Sequence, residues 1–97
     1  MNDFEPPYYA VIFTSTLNPD AKGYDAMAKT MVELAKEQPG FLGIDSVRNG
    51  LGITISYWKT LADIQQWGRH PQHKEAIRKG KKLWYKKYTI RICKVEY

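Results

Sequence analysis

Residues 41–58, FLGIDSVRNGLGITISYW, decide how this chain is arranged. Asn49 and Gly50 sit between two stretches rich in Ile, Leu and Val, a strong short-range signal for a β-hairpin. A type I′ turn at Asn49-Gly50 sets Arg48 opposite Leu51. In the second arm Ile53, Ile55 and Tyr57 share one face, while Thr54, Ser56 and Trp58 take the other. A tight hairpin in mid-chain gives two neighbouring antiparallel strands, to whose edges the rest of the chain must attach.

Working outward, YYAVIFTSTL (8–17) alternates Tyr9, Val11 and Phe13 against Tyr8, Ala10 and Ile12. Both sets are apolar, which predicts a strand buried on two faces. Asn18-Pro19-Asp20 breaks it, and Asn18 or Asp20 can cap a helix over 20–37. There Tyr24, Met27, Met31, Leu34 and Ala35 recur at helical steps, until Pro39 and Gly40 end the pattern. After the hairpin, Thr60 is an N-cap with Asp63 in a near capping-box arrangement. Leu61, Ile64 and Trp67 give that helix its buried side, and Gly68 closes it. His70 before Pro71 opens a further helix, with Ala76, Ile77, Gly80, Leu83 and Trp84 as the apolar stripe and Tyr85 at its rim. YTIRICKVEY (88–97) alternates once more as a last strand.

The order β-α-β-β-α-β predicts an α+β, ferredoxin-like domain: a four-stranded antiparallel sheet, helices on one face, the second helical region split. The domain spans 1–97, with 1–7 an N-terminal extension. Helices cover one side of the sheet only, yet the first strand is apolar on both. The uncovered side therefore calls for a second copy of the chain, a homodimer.

With 97 residues the chain has room for one domain and a thin core, and 43% hydrophobic and 13% aromatic residues argue against disorder. Cys93 is the one cysteine, which excludes an internal disulfide and fits a reducing compartment. MNDFEPPYY lacks the basic start and apolar run of a signal peptide, and no apolar stretch nears the roughly 20 residues that span a bilayer. The expectation is a soluble cytoplasmic protein without a membrane partner. The net charge of +5 is concentrated after Trp67, in Arg69, Lys74, Arg78, Lys79, Lys81, Lys82, Lys86, Lys87, Arg91 and Lys94. Such a stripe is either a solvated helix face or an attractor of anions. Nucleic-acid binding would need aromatics beside it on an open sheet face, which a dimer hides, so nucleic acid is not an expected partner.

The stretches GFLGIDSVR, GITISYWKTLADIQQWGRHPQHKEA and GKKLWYKKYTIRICKVE resemble the antibiotic biosynthesis monooxygenase-like (ABM) domains of the dimeric α/β-barrel superfamily, from Tyr8 to the C-terminus. The resemblance implies two protomers laying their sheets together as a barrel, each keeping a cavity between sheet and helices. It also implies one of two chemistries. Some relatives oxygenate flat polyketide aromatics with no metal or flavin; others bind and degrade haem. In the haem-degrading relatives a tryptophan, matched here by Trp67, lies over the macrocycle, and a histidine ten residues later ligates iron. That position is Ile77, which cannot ligate iron. Where those relatives carry an asparagine near the end of the first strand, this chain has Thr14, Ser15 and Thr16, with Asn18 slightly beyond. The expectation is a monooxygenase with no cofactor, acting on a quinol- or anthrone-like aromatic. The alternatives are a non-catalytic homodimer that holds a small apolar or aromatic molecule, and a haem-binding relative using His70 or His73.

Trp67 is either core or the wall of a substrate cavity, where a rigid ring can stack on a planar ligand. His70 and His73 have a spacing that suits a metal, but His70 sits at a cap and no third ligand is evident, so no metal site is expected. A neutral His73 imidazole can take a phenolic proton near pH 7. His73 and Trp67 are the candidate catalytic residues; Trp67, Tyr57, Trp84, Thr14 and Phe13 are the candidate substrate-binding residues. Ser56 is a further polar neighbour of the slot, Arg91 an interface ion-pair partner, and Cys93 a small buried residue.

Overall fold

The computed structural model describes residues 4–97. Strand β1 (Tyr8–Leu17) leads to helix α1 (Tyr24–Lys36), then β2 (Phe41–Asn49) and β3 (Leu51–Trp58). Helices α2 (Leu61–Arg69) and α3 (Pro71–Lys79) follow, then a π turn (Gly80–Trp84) and β4 (Tyr85–Val95). The four strands form one sheet in the order β2-β3-β1-β4, with every neighbouring pair antiparallel. This is the ferredoxin-like α+β arrangement expected, with the second helical region split in two. Among the described residues no helix is long and apolar enough to cross a membrane.

The hairpin departs from the expected turn. Gly50 has φ +79°, and among the described residues no non-glycine has positive φ, so Asn49 cannot occupy a type I′ position. Asn49 pairs with Leu51 and Arg48 with Gly52, one residue away from the expected register. In this register Gly52 stands opposite Arg48 and leaves the space through which the guanidinium crosses, space that a Cβ at position 52 would occupy. Leu42 is the extra residue where the β2–β3 register shifts.

Helix α1 begins later than expected, at Tyr24, after Gly23 with φ +85° and no side-chain cap. Asn18 does not cap it. Its amide N–H donates to the Trp84 carbonyl at 2.8 Å and its side chain to the Leu83 carbonyl at 3.3 Å, tying the end of β1 to the π turn. Helix α2 starts as expected, the Thr60 hydroxyl accepting from the Asp63 amide at 3.1 Å. It runs through Gly68 and ends where His70 turns extended; the His70 Nδ1 then accepts from the Gln72 amide at 3.2 Å and caps α3. The π turn breaks the expected helical stripe. Its wider pitch takes one more residue per turn, so Leu83 swings out to 55% exposure while Trp84 is buried at 6%. Strand β4 consequently begins three residues earlier than the periodicity suggests.

The helices pack on one face of the sheet. The core there joins Ala35, Trp58, Ile64 and Trp67, with Val11, Met31, Leu34 and Phe41 packed around them. Trp58 is wholly buried and meets Phe41 edge-on at 5.4 Å.

Candidate functional site

Between the sheet and the helices lies a cavity of about 390 Å³. Strand alternation supplies its floor: Val11 and Phe13 from β1, Thr54 and Ser56 from β3, Ile44 from β2, Ile90 and Ile92 from β4. Helix α1 contributes Met27 and Met31, and the α2–α3 corner contributes Trp67, His73 and Ile77. Tyr24, Trp84 and Tyr85 line it as well. A broader depression of about 560 Å³ lies between α1, α3 and the π turn, but it gathers Gln72, Glu75 and Lys79 and neither Trp67 nor His73. The inner cavity is the one that brings Trp67 and His73 together among Phe13, Tyr24, Trp84 and Tyr85.

The extended backbone at His70 folds α3 back on α2, and this brings residue 73 over residue 67. The two rings lie parallel, 11° apart with centroids at 4.1 Å. His73 Nδ1 is 3.0 Å from the Trp67 carbonyl oxygen. Because that oxygen can only accept, Nδ1 is the protonated nitrogen and Nε2 keeps its lone pair. Burial holds the His73 pKa below its ordinary 6.5, the bond to the Trp67 carbonyl opposes this, and the neighbouring His70 lowers it further. The imidazole is therefore neutral at pH 7. Trp67 in turn stacks on Trp58 at 6.1 Å.

Phe13, Trp67, His73 and Trp84 thus meet in one cavity, as does Ser56, whose hydroxyl accepts from the Trp58 indole N–H at 2.9 Å. The Trp84 indole N–H donates to the Lys22 carbonyl at 2.9 Å, which fixes its ring. Thr14 and Tyr57 are corrections. Each neighbours a cavity residue in sequence, so alternation points it to the opposite face of the sheet. There the Tyr57 hydroxyl donates to Asp45 at 2.8 Å. That bond is the main cause of a phenol pKa pushed up to about 12, with burial, the Asp45 charge and Tyr8 adding to it. Arg91 and Cys93 share that face; Cys93 is exposed rather than buried, and Arg91 donates to the Thr89 hydroxyl at 3.0 Å. Ile77 lines the cavity with an aliphatic side chain that offers iron no lone pair, so the residues present do not fit the haem site of the degrading relatives. Among the described residues no three His, Cys, Asp or Glu side chains are placed to hold a metal ion.

One polar cluster escaped the sequence reading. Arg48 lies across Gly52 to reach β1, its Nη2 donating to the Ser15 hydroxyl at 2.7 Å and its Nη1 to the Ser15 carbonyl at 3.2 Å. Nη2 also lies 3.4 Å from the Tyr24 hydroxyl, and the guanidinium carbon sits 5.5 Å from the centre of the Tyr24 ring. Tyr24 meets Tyr85 at 5.8 Å. Burial raises the Tyr85 pKa, Tyr24 raises it further, and Arg48 works against both. The signal was available: Ile44, Ser46 and Arg48 share one strand face, so the arginine had to join the helix side.

The family model described as antibiotic biosynthesis monooxygenase matches residues 7–79. A Bacillus subtilis protein named Uncharacterized protein YqjZ is 49% identical over 94 residues, covering 95% of this chain and 82% of that one. Among solved structures, SnoaB, a cofactor-independent oxygenase from Streptomyces nogalater, superposes with a TM-score of 0.80 at 10% identity, over 95% of this chain and 96% of its own. A conserved protein from Methanosarcina mazei matches at 0.80 and 15%, over 90% and 91%. At such identities these two likenesses concern the fold.

Proposed function

This chain belongs to the antibiotic biosynthesis monooxygenase family, and from that premise we propose that it binds a flat aromatic molecule in the inner cavity and oxygenates it without metal or flavin. The observation that carries the proposal is the neutral His73 imidazole, stacked on Trp67 in an otherwise largely apolar chamber. A planar substrate would lie along the Trp67 and Phe13 side of the chamber, with Trp84 bounding one end. His73 Nε2 would take the acidic proton of a quinol or anthrone. The resulting electron-rich anion is itself the reductant of dioxygen. A new C–O bond forms and the peroxide intermediate loses its O–O bond: in an anthrone CH₂ plus O₂ becomes C=O plus water, and a quinol plus O₂ becomes a hydroxyquinone plus water. Both electron pairs come from the substrate, so no further reductant is needed.

Incubation with anthrone under oxygen tests this: anthraquinone should accumulate with matching oxygen uptake, and His73→Ala should abolish it while Trp67→Ala weakens substrate binding. Absence of product and of any ligand-induced rise in thermal stability would overturn the proposal. A second reading, a non-catalytic dimer that binds a small apolar molecule, is favoured by the thin supply of acid–base groups around the cavity. It predicts binding without oxygen uptake. Both readings use a homodimer, supported by Ile12, Ile53, Ile55 and Val47 on the sheet face that no helix covers.

A further inference from the structure

We propose that Tyr24 and Tyr85, with Arg48 behind them, form an oxygen-binding pole at one end of the cavity, so that the ligand carries a keto, phenolate or enolate oxygen there. This rests on reading the cavity as a small-molecule site. Both tyrosines line it. A guanidinium is a donor only, so in its 3.4 Å contact the Tyr24 oxygen accepts and the hydroxyl proton is turned away from the arginine. The Tyr24 and Tyr85 hydroxyls also bond to each other, so one of their two protons is left for an acceptor in the cavity.

The arrangement is built in advance of any ligand. Gly52 stands between Arg48 on β2 and Ser15 on β1 in the sheet, and only a residue without Cβ lets the guanidinium cross. Ser15 is 2% exposed and binds the guanidinium through both its hydroxyl and its carbonyl. Arg48 is therefore held flat, with donors to spare. Among the described residues the one ion pair is Arg78–Glu75, so none of the described carboxylates neutralises Arg48. Its field favours a negative or partly negative oxygen at the neighbouring hydroxyls. Tyr85 stays a protonated donor at neutral pH, since burial opposes its ionisation. Arg48 is a positioning residue here: it orients the Tyr24 hydroxyl, and its charge acts on the oxygen from behind both tyrosines.

The test uses the full chain and two flat probes: 2-hydroxy-1,4-naphthoquinone, a vinylogous acid that is an enolate anion at neutral pH, and naphthalene, which has no oxygen. Titration calorimetry should show hydroxynaphthoquinone bound roughly tenfold more tightly, the scale of a charge-assisted hydrogen bond. Arg48→Met should remove about that factor for hydroxynaphthoquinone and leave naphthalene within roughly twofold. Arg48→Lys should restore part of the loss, and Tyr24→Phe should reproduce a smaller share of it. Thermal unfolding of each variant confirms that it is folded. If both probes bind but Arg48→Met and Tyr24→Phe change neither, or weaken both alike, the pole is refuted and the cavity stands. If neither probe binds the unaltered chain, the cavity reading fails and the pole with it.

Discussion

His73 is buried against an indole, and burial makes a positive charge costly there even though the Nδ1 bond to the Trp67 carbonyl opposes this. Burial lowers its folded pKa beneath the ordinary 6.5, so between the two values the unfolded chain binds more protons. The stability this gives is fully present above pH 6.5 and is lost as pH falls through the folded value. Urea midpoints measured from pH 7.5 down to 5 should therefore decline, and His73→Gln should decline less steeply, though from a lower start. Gly52 gives a second residue-scale test. In Gly52→Ala the new Cβ displaces the guanidinium of Arg48, a flexible end, so the strand stays in place. The buried Ser15 hydroxyl loses its partner, at a cost of about 1–2 kcal/mol in urea unfolding. At this scale the sequence revealed what large rings and helical spacing reveal: Phe13, Trp67, His73 and Trp84 do meet. Thr14 and Tyr57 went to the wrong side because polarity was weighed before strand parity. Arg48 was missed because it was assigned to a turn.

The elements were legible wherever a local interaction sets their ends. The Thr60 cap and the His70-Pro71 corner depend on residues within three positions, and both formed as expected. Thr60→Ala should lower stability by about 1 kcal/mol with Thr60→Ser close to neutral, read from chemical denaturation. An unchanged Thr60→Ala midpoint would show that both bonds of the Thr60 hydroxyl, from the Asp63 amide and to the Asp63 carboxylate, add nothing to stability. The β2–β3 register and the π turn were not legible, because each is set by a distant contact. Arg48 needs a notch opposite it to reach Ser15, 33 residues away, and this overrides the preference of Asn-Gly for a type I′ turn. Trp84 is drawn inward by the Lys22 carbonyl, 62 residues away, and the helix widens rather than continuing as an α-helix. Periodicity carries no record of either partner.

Across the whole molecule, apolar residues on both faces of β1 implied an uncovered sheet surface, and the fold has one. Ile12 pairs with Ile55 on that face, Thr14 with Ile53, and Val47, which pairs with Ile53 from β2, is 68% exposed. Phe4 extends the patch by packing on Tyr8 and Tyr57 at 5.4 and 5.5 Å. A contiguous apolar surface of this kind is the usual mark of an interface. A two-fold axis would let it meet its own image, with Arg91 and Asp45 available to one another across the seam. The cavity has a stake in this, because its β4 wall is weakly supported: Ile90 and Ile92 line it yet remain about half exposed, at 51% and 52%. Sedimentation equilibrium at micromolar concentration should give twice the chain mass. Ile55→Lys places a charge in the seam, away from the cavity, and should give the single-chain mass with the circular dichroism spectrum retained. Probe binding should weaken severalfold in that variant as the sheet loses its backing. A single-chain mass for the unaltered protein would remove the dimer; full probe affinity in a monomeric Ile55→Lys would show that each cavity is complete by itself.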